Sequence, residues 1–220
     1  TLDNNILTED EARKLFSQMV LAVTHCHKHD VAHRDIKLEN WLLINGCIKL
    51  SDFGLSIIVN DNNWYVRDTT GTDGYMSPEA VNGRKRAYDA RSADAWSTSV
   101  CLFTMLSGFF PYKTADISDT RFKTCYRRCD CLMTKVYSMY GLSTQAFSTD
   151  IKHLLHNSLC VRLQDRLSMN DMEHHAWNHE EVTSENEMLD DTIKCLNIKI
   201  QKSVNLISHC LQCFCKCCQC

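Results

Sequence analysis

Four side chains able to handle phosphate and a metal ion lie between positions 35 and 52. Asp35 and Lys37 place a carboxylate near an ammonium group, and Asn40 and Asp52 carry hard oxygen atoms of the kind that Mg²⁺ prefers. Chemistry at phosphate groups depends more on positioning and charge neutralisation than on covalent steps, so this set suits it. Polar side chains that merely cap loops are the alternative, but that alternative explains one aspartate rather than four groups.

The segments beside these residues predict how they are positioned. Two apolar runs, over residues 41–44 and 47–50, are joined by Asn45-Gly46, the strongest short-range signal for a β-hairpin. Such a hairpin brings Asn40 and Asp52 to the same end of its paired strands. Residues 31–40 and 51–79 are polar and irregular; the second stretch is too long for an ordinary connection and is therefore predicted to be functional.

Helices are predicted around this hairpin. Thr8 and Glu11 form a capping box ahead of apolar residues at three- and four-residue spacing, which indicates a helix with one buried face. A second buried helix, over about residues 92–106, stops at Gly108. Further helices are predicted at about residues 119–130, 146–158 and 169–176. We expect one domain over residues 1–180 and a tail over residues 181–220.

Three motifs occur in a fixed order along this domain. Residues 33–40 read H-R-D-I-K-L-E-N, residues 52–54 read D-F-G, and residues 77–79 read S-P-E. Together they resemble the signature set of the eukaryotic protein kinases, over about residues 7–178. The resemblance implies a mainly α fold, the large C-terminal lobe of a kinase, with a short β-hairpin at the catalytic loop.

The resemblance assigns roles to the polar residues. Asp35 would accept or orient the proton of a substrate hydroxyl, and Lys37 would steady the γ-phosphate of ATP. Asn40 and Asp52 would be the Mg²⁺ ligands. The implied function is a transferase, a Ser/Thr protein kinase seen as a partial catalytic domain, with ATP and Mg²⁺ as cofactors and protein hydroxyls as substrates.

Two residues favour Ser/Thr kinases over tyrosine kinases. Lys37 follows the catalytic aspartate as in Ser/Thr kinases, and Thr72 matches the threonine that bonds the equivalents of Asp35 and Lys37. The sequences of residues 7–12 and 37–40 most closely resemble those of the calmodulin-dependent and SNF1-like branch of the Ser/Thr kinases. For Glu39 two readings stay open: a contact to a basic substrate residue, with its backbone near the ATP ribose, or a solvated surface acid.

The activation segment of the resemblance runs from Asp52 to Glu79 and contains Phe53 and Gly54. Arg34 marks kinases that are switched by a phosphate on this segment. The usual acceptor position holds Asp68, whose carboxylate would pair with Arg34 and partly mimic a phosphate. Thr69 and Thr70 are the neighbouring candidate phosphorylation sites. An ordinary exposed acid is the alternative for Asp68.

Supporting residues of the family also have matches. Asp94 opens a D-x-W-S sequence and would hold the backbone of the catalytic loop. Glu79 would form a buried pair with Arg166, and His33 and Phe53 would form the lower half of the hydrophobic spine.

The small N-terminal lobe of a kinase has no match in the chain. The first of only seven glycines is Gly46, so no glycine-rich phosphate loop precedes the catalytic loop. We therefore expect the small lobe to come from upstream sequence, and weak nucleotide binding by this segment alone. The alternative function is an inactive kinase-like lobe that acts as a binding or scaffold module, or a truncated gene product.

Composition adds three expectations. The net charge of −3 does not indicate a surface that binds nucleic acid. An intracellular, cytoplasmic protein is expected because no signal peptide or long apolar run occurs. The tail carries six cysteines between Cys210 and Cys220. Three roles stay open for these cysteines: binding of a thiophilic metal, palmitoylation beside an amphipathic stretch, or no selected chemistry. Only palmitoylation would bring the chain to a membrane.

Overall fold

A computed structural model describes residues 6–59, 61, 63–126, 132–139, 141–145 and 147–179 of the 220-residue chain. The predicted tail of residues 181–220, with its cysteine cluster, lies outside the described residues. The described part is built mainly from α-helices with a few short antiparallel strands, as expected for the large lobe of a kinase.

Helix α1 spans Glu9–Lys28 and begins as its sequence predicts. The Thr8 side chain accepts a hydrogen bond from the Glu11 backbone N–H, and the Glu11 side chain accepts one from the Thr8 backbone, which completes the capping box. The apolar residues at three- and four-residue spacing along the helix form one buried face. They are Ala12, Leu15, Phe16, Met19, Val20 and Val23.

Helix α3 spans Ala90–Ser107 and is the centre of the lobe. It is buried on almost every side, and Trp96 and Phe103 are among the largest fully buried side chains. The Asp89 side chain accepts from the Arg91 N–H at the first turn, and Gly108 ends the helix with a φ of 75°. That left-handed conformation favours glycine, so the helix stops where the sequence predicts.

The hairpin predicted from Asn45-Gly46 is present. Strand β2, Trp41–Ile44, pairs antiparallel with β3, Cys47–Leu50, and Trp41 lies opposite Leu50. Because the paired ends meet there, the residues flanking Trp41 and Leu50 lie at one end of the hairpin. The Ser51 backbone N–H donates to the Asn40 carbonyl at 2.9 Å, which continues this pairing by one step.

Two segments predicted to be irregular contain regular structure. Strand β1, Val31–Ala32, pairs with β4, Ile57–Ile58, and β5, Tyr65–Val66, pairs with β6, Tyr88–Asp89. A 3₁₀ turn also covers Leu38–Asn40. Strands of two residues are too short to produce a period-two pattern, which is why the sequence does not reveal them.

Within the described residues, the lobe contains five further short helices besides α2, Pro78–Val81. They are α4 Thr120–Tyr126, α5 Leu132–Met139, α6 Thr149–Ser158, α7 Met169–Glu173 and α8 Ala176–His179. The helix predicted over residues 169–176 is present as α7 but ends earlier, at Glu173, and α8 follows it as a separate helix. Helix α7 begins at a second capping box, formed by Ser168 and Asp171.

Helix α8 is tied to the start of α1 through Trp177. The Trp177 indole N–H donates to Glu9 Oε2 at 3.0 Å, and Arg13 Nε donates to the Trp177 carbonyl at 2.7 Å. The Arg13 guanidinium also lies 5.0 Å from the centre of the indole ring, a cation–π contact. These contacts close the core of the lobe across a separation of more than 160 residues.

None of the described helices is long and apolar enough to cross a membrane. The cysteines whose side chains the structure describes, Cys26, Cys47, Cys101 and Cys160, are free thiols.

Candidate active site

The Asp94 carboxylate fixes the backbone at the start of the catalytic loop, residues 33–40. It lies on α3, is almost fully buried, and accepts from the backbone N–H groups of His33 at 2.9 Å and of Arg34 at 2.8 Å. Arg34 has a φ of 69°, a conformation that costs a residue with a side chain about 1–3 kcal/mol. The two hydrogen bonds to Asp94 stabilise that conformation, and thereby fix the direction of the residues that follow.

A third donor to Asp94 was missed by the sequence analysis. His27, on the last turn of α1, donates from Nε2 to Asp94 Oδ2 at 2.9 Å. The two residues are 67 positions apart. No local sequence pattern connects residues at that separation, so only the fold reveals the contact.

Asp35, Lys37 and Thr72 form a closed hydrogen-bonded triangle. Lys37 Nζ donates to Asp35 Oδ2 at 2.6 Å and to Thr72 Oγ1 at 3.0 Å. Thr72 Oγ1 in turn donates to Asp35 Oδ1 at 2.7 Å. Asp35 is 6% exposed, so the pair lies where an ion pair is only weakly screened. The triangle joins the catalytic loop to the activation segment.

Asn40 completes the catalytic loop. Its side-chain N–H group donates to the Asp35 carbonyl at 2.9 Å, so its side-chain oxygen is the atom that remains to take a ligand. The Asn40 carbonyl accepts from the Ser51 hydroxyl at 2.8 Å, and this contact couples the loop to the end of β3. Asn40 therefore lies at the predicted end of the hairpin.

Asp52 begins the D-F-G sequence in the left-handed region, with a φ of 62°. Its Oδ1 accepts from the Gly54 N–H at 3.3 Å. Phe53 packs against the buried His33, with ring centres 4.8 Å apart in an edge-to-face arrangement. The His33–Phe53 contact expected of the spine is thus present, and Asp52 is exposed at the surface beside it.

The oxygen atoms of Asn40 and Asp52 have the chemistry that Mg²⁺ requires. Mg²⁺ is usually bound by one or two protein oxygens, with water and substrate phosphates completing its shell. Within the described ranges, no group of three or more His, Cys, Asp or Glu side chains is placed to hold a metal. The chemistry of these two side chains is thus compatible with Mg²⁺.

Arg34 and Asp68 are brought together across the activation segment. Arg34 Nη2 donates to Asp68 Oδ2 at 2.6 Å, with the Arg34 side chain 8% exposed and the Asp68 side chain 44% exposed. The Tyr88 hydroxyl donates to the other carboxylate oxygen at 3.4 Å. Burial, with the nearby Asp68 carboxylate, raises the pKa of Tyr88 to about 12. The pair therefore lies at the edge of the lobe's interior.

The backbone of Asp68 also explains why position 83 is occupied by glycine. A Cβ atom at Gly83 would lie 1.8 Å from the Asp68 carbonyl oxygen, so only glycine fits there. The adjacent candidate phosphorylation sites differ in access: Thr69 is exposed and Thr70 is half-buried.

Glu79 and Arg166 form the expected buried pair at the end of the activation segment. Both guanidinium nitrogens Nη1 and Nη2 donate to the Glu79 carboxylate, the second at 3.0 Å. Arg166 also donates to the carbonyls of Cys160 at 2.8 Å and Ser92 at 3.1 Å, and stacks over Trp96. The pair anchors the segment to the core.

Glu39 has a contact that neither of its two predicted roles includes. The Tyr75 hydroxyl donates to Glu39 Oε2 at 3.2 Å and accepts from the Leu38 N–H at 3.3 Å. Burial raises the pKa of Tyr75 well above its ordinary value, so it remains a neutral donor. Tyr75 thus links the catalytic loop to the activation segment a second time, and the sequence analysis did not identify it.

Fold and site together define a kinase-like lobe, and comparison with known proteins gives the family. Residues 1–178 match the family described as protein kinase domain, so the chain belongs to the protein kinase family. The resemblance to Ser/Thr kinases is confirmed by its relatives, which lie in the SNF1-like branch.

Three relatives illustrate the similarity. The chain is 36% identical over 172 residues to "CBL-interacting serine/threonine-protein kinase 24" of Arabidopsis thaliana, covering 78% of this chain and 35% of that protein. It is 44% identical over 117 residues to "CBL-interacting protein kinase 31" of Oryza sativa subsp. japonica, covering 52% and 26%. It is 33% identical over 172 residues to "Carbon catabolite-derepressing protein kinase" of Candida tropicalis, covering 78% and 25%. The chain spans about a third or less of the length of these relatives.

Proposed function

We propose that this chain forms the catalytic large lobe of a Ser/Thr protein kinase that transfers the γ-phosphoryl group of ATP to hydroxyl groups of proteins. The observation that carries this proposal is the triangle of Asp35, Lys37 and Thr72, in which a buried carboxylate and an ammonium group are held at 2.6 Å. The site has the charged groups that phosphoryl transfer requires, and Thr72 is hydrogen-bonded to both of them.

The triangle suggests how the residues act. Both oxygens of Asp35 accept hydrogen bonds in the structure, Oδ1 from Thr72 and Oδ2 from Lys37. When Lys37 turns to the γ-phosphate, it neutralises phosphate charge and leaves Oδ2 open to a substrate hydroxyl. That hydroxyl oxygen then bonds to the γ-phosphorus, the bond from phosphorus to the β–γ bridging oxygen breaks, and Asp35 accepts the proton.

Asn40 and Asp52 would hold Mg²⁺, which when bound neutralises charge on the phosphates. The contact from Asn40 to the Asp35 carbonyl at 2.9 Å would keep this ligand in register with the proton acceptor. The hydrogen bond from Gly54 to Asp52 orients the second ligand.

A small lobe outside this segment would complete the nucleotide site. Four apolar side chains on the hairpin and on the D-F-G turn after it are 44% to 47% exposed, namely Leu42, Ile44, Phe53 and Leu55. Large apolar side chains exposed in this number favour coverage by another layer of protein. We therefore expect weak binding of ATP by the 220-residue chain and strong binding once a small lobe is joined to it.

Asp68 would bias the activation segment without a phosphate. Its carboxylate already occupies one guanidinium nitrogen of Arg34, whereas the buried Arg34 Nε has no partner among the described residues. A carboxylate thus satisfies the arginine in part, and phosphorylation of Thr69 or Thr70 would offer the remaining acceptor oxygens.

The same exposed apolar side chains favour a second candidate, a catalytically inactive lobe that binds protein partners. The names of several relatives include "CBL-interacting", and protein partners of that kind are part of this candidate.

The two candidates differ in their response to nucleotide. We would join the small lobe of the Arabidopsis relative ahead of Thr1 and titrate this chimera with MgATP while following its thermal unfolding. A catalytic lobe is stabilised by bound MgATP, by roughly 2.7 kcal/mol at a hundredfold excess over Kd. The Asp52→Asn chimera should lose most of this effect. An equal response of both proteins, or no response, favours the binding module.

A further inference from the structure

Four exposed cationic side chains lie together beside the activation segment. Arg67 follows β5 directly, and Arg84, Lys85 and Arg86 occupy the turn between α2 and β6. All four are exposed, and we call them the basic surface. The chain as a whole carries a net charge of −3, so this concentration of positive charge is a local feature.

The fold brings Arg67 next to the turn. Strand β5 pairs antiparallel with β6, so the residue after β5 and the residues before β6 leave the pair at the same end. The two backbones also touch there, because a Cβ atom at Gly83 would lie 1.8 Å from the Asp68 carbonyl oxygen. Arg67 and Arg84 are the chain neighbours of these two contacting residues, which places both arginines on one small area of the surface.

The turn that carries the other cations is held by hydrogen bonds. The Asn82 carbonyl accepts from the Lys85 N–H at 2.9 Å and from the Arg86 N–H at 3.3 Å. The Asn82 side chain in turn donates to the Pro78 carbonyl at 3.1 Å. A partner of the basic surface therefore meets a backbone that is already ordered, which lowers the entropic cost of binding.

The arginines of the basic surface differ from the other described arginines in having no partner. The guanidinium groups of Arg67, Arg84 and Arg86 form no hydrogen bond or ion pair within the ranges that the structure describes. The remaining described arginines each bind a carboxylate or a backbone carbonyl; they are Arg13, Arg34, Arg91, Arg121, Arg162 and Arg166.

The carboxylates closest along the chain are engaged elsewhere. Asp68 accepts from Arg34 at 2.6 Å, and Asp89 accepts from Arg91 at 2.8 Å. Three guanidinium groups of like charge are thus held together without a compensating acid from either side of the surface. An arrangement of this kind attracts a negatively charged partner.

Lys85 differs from the arginines because it has an acidic neighbour. Hydrogen bonds from Ser118 lower the pKa of the exposed Asp116, and the nearby Lys85 lowers it further. We therefore assign binding to the three arginines and a supporting role to Lys85.

The basic surface lies close to the proposed proton acceptor. Arg67 precedes Asp68, whose carboxylate is bonded to Arg34, and Arg34 precedes Asp35. A protein segment whose hydroxyl reaches Asp35 rises about 3.3 Å per residue when extended. Side chains a few positions from that hydroxyl are therefore the ones that come within reach of the arginines.

We propose that the basic surface binds acidic segments of protein substrates, within a few residues of the Ser or Thr that is phosphorylated. Guanidinium groups bind carboxylates through paired, charge-assisted hydrogen bonds, and arginine clusters recognise acidic motifs in this way. The identity of the partner as a substrate rests on the proposed function, whereas binding of an acidic segment to the surface does not.

The test compares peptides that share one central Ser and differ in their flanks. A run of four Glu residues follows the Ser in one peptide and precedes it in another, and matched peptides carry Gln or Lys in the same places. In transfer assays with the chimera, kcat/KM for one of the Glu peptides should exceed that of its Gln counterpart about tenfold. The gain should lie in KM, as expected for two or three exposed ion pairs. It should shrink between about 0.05 M and about 0.5 M salt, because exposed charges are screened.

Variants locate the contact. Arg84→Gln/Arg86→Gln should reduce the ratio of kcat/KM for the Glu and Gln peptides to about twofold or less. Lys14→Gln/Lys28→Gln removes the same charge from two exposed lysines of α1 and should keep the ratio of the parent. Because each ratio is measured within one protein, a change in the amount of folded protein cancels.

Binding to the 220-residue chain separates this proposal from the proposed function. Fluorescein-labelled Glu and Gln peptides are titrated with the chain while their anisotropy is followed. The favoured Glu peptide should bind about tenfold more tightly than the Gln peptide, and Arg84→Gln/Arg86→Gln should remove the difference. A chimera that transfers no phosphate contradicts the proposed function, and this binding measurement then decides on the basic surface alone.

Several results would overturn the proposal. They are equal kcat/KM for the Glu and Gln peptides in an active chimera, a preference for the Lys peptides, or the same Glu-to-Gln ratio in both double variants. In the binding measurement, equal affinity of the 220-residue chain for the Glu and Gln peptides would contradict it as well.

Discussion

Thr72 donates a hydrogen bond to Asp35 at 2.7 Å, across 37 positions of the chain. The same hydroxyl accepts from Lys37 at 3.0 Å, so one small side chain holds the two charged groups of the catalytic loop. The activation segment therefore contacts both charged groups of the loop through this side chain, and displacement of Thr72 would remove one hydrogen bond from each of them.

Removal of the Thr72 hydroxyl tests this coupling. Thr72→Val preserves the volume of the side chain and should lower phosphoryl transfer by the chimera about 10- to 100-fold, because Asp35 and Lys37 lose their common partner. The loss of stability should stay near 1 kcal/mol, the net worth of a hydrogen bond. Steady-state transfer rates and urea unfolding measure the two effects.

The exposed Thr69 provides the matched control. Thr69→Val alters a threonine of the same segment that lies outside the triangle, and the unphosphorylated protein should keep its activity. Equal activity of Thr72→Val and the parent would show that the triangle does not position the loop.

Asp68→Ala is expected to loosen the activation segment. The substitution leaves the buried Arg34 guanidinium without its 2.6 Å partner, and a decrease in stability of about 1–2 kcal/mol is expected because Asp68 is partly exposed. Substrate phosphorylation by the chimera should also fall, and limited proteolysis should cut the segment faster.

Asp73→Ala is the control for that experiment, because Asp73 is an exposed carboxylate on the same segment. It should change neither the proteolysis rate nor the stability by a measurable amount. If Asp68→Ala behaves like Asp73→Ala, Asp68 is an ordinary loop acid and the phosphate-independent bias is wrong.

The buried pair of Glu79 and Arg166 should be much more sensitive. The Arg166 side chain is 2% exposed, and Glu79→Gln removes the charge that compensates it; loss of one partner of a buried pair costs about 3–5 kcal/mol. Urea unfolding of the 220-residue chain should show a lower midpoint with an unchanged slope.

A surface pair allows a direct comparison. Arg162 and Asp165 are 60% and 42% exposed and lie 2.8 Å apart, so Asp165→Asn should cost at most about 1 kcal/mol. Similar losses for Glu79→Gln and Asp165→Asn would mean that burial of the first pair contributes nothing.

His175 predicts a dependence of stability on pH. Its Nε2 lies 2.8 Å from His153 Nδ1, and its Nδ1 accepts from the Trp177 N–H at 3.2 Å. Burial, and then the neighbouring His153, lower the pKa of His175 from its ordinary value of 6.5. Because the unfolded chain takes up this proton more readily, the stability present above pH 6.5 decreases as the pH falls below that value.

The substitution His175→Asn removes the titrating ring and keeps an acceptor for the Trp177 N–H. The Tm of this variant should depend less on pH than that of the parent below pH 6.5. His153→Asn should have a smaller effect, since burial of His175 remains. Identical pH profiles for His175→Asn and the parent would contradict the prediction.

Local signals predicted the main helices and the hairpin well. The capping box at Thr8 fixes the start of α1, and Gly108 fixes the end of α3, because both depend on hydrogen bonds or backbone conformations within a few residues. The motif residues Asp35, Lys37 and Thr72 likewise meet as the family resemblance implies.

Contacts between distant residues were less predictable. The bonds from His27 to Asp94 and from Tyr75 to Glu39 join residues 67 and 36 positions apart, and neither follows a period or a turn signal. Strand pairs of two residues, such as β1 with β4, depend on tertiary packing rather than on an alternating pattern. These features emerge only when the helices are packed.

The most direct test of the proposed catalytic site is transfer of the γ-phosphoryl group from MgATP to a protein substrate by the chimera and by its Asp35→Asn variant. Both should bind MgATP with similar affinity. We predict that the chimera transfers phosphate to Ser or Thr and that Asp35→Asn lowers the rate about 10²- to 10⁴-fold, the range expected for loss of a general base. Equal rates for both proteins, or bound MgATP with no transfer by the chimera, would contradict the proposal.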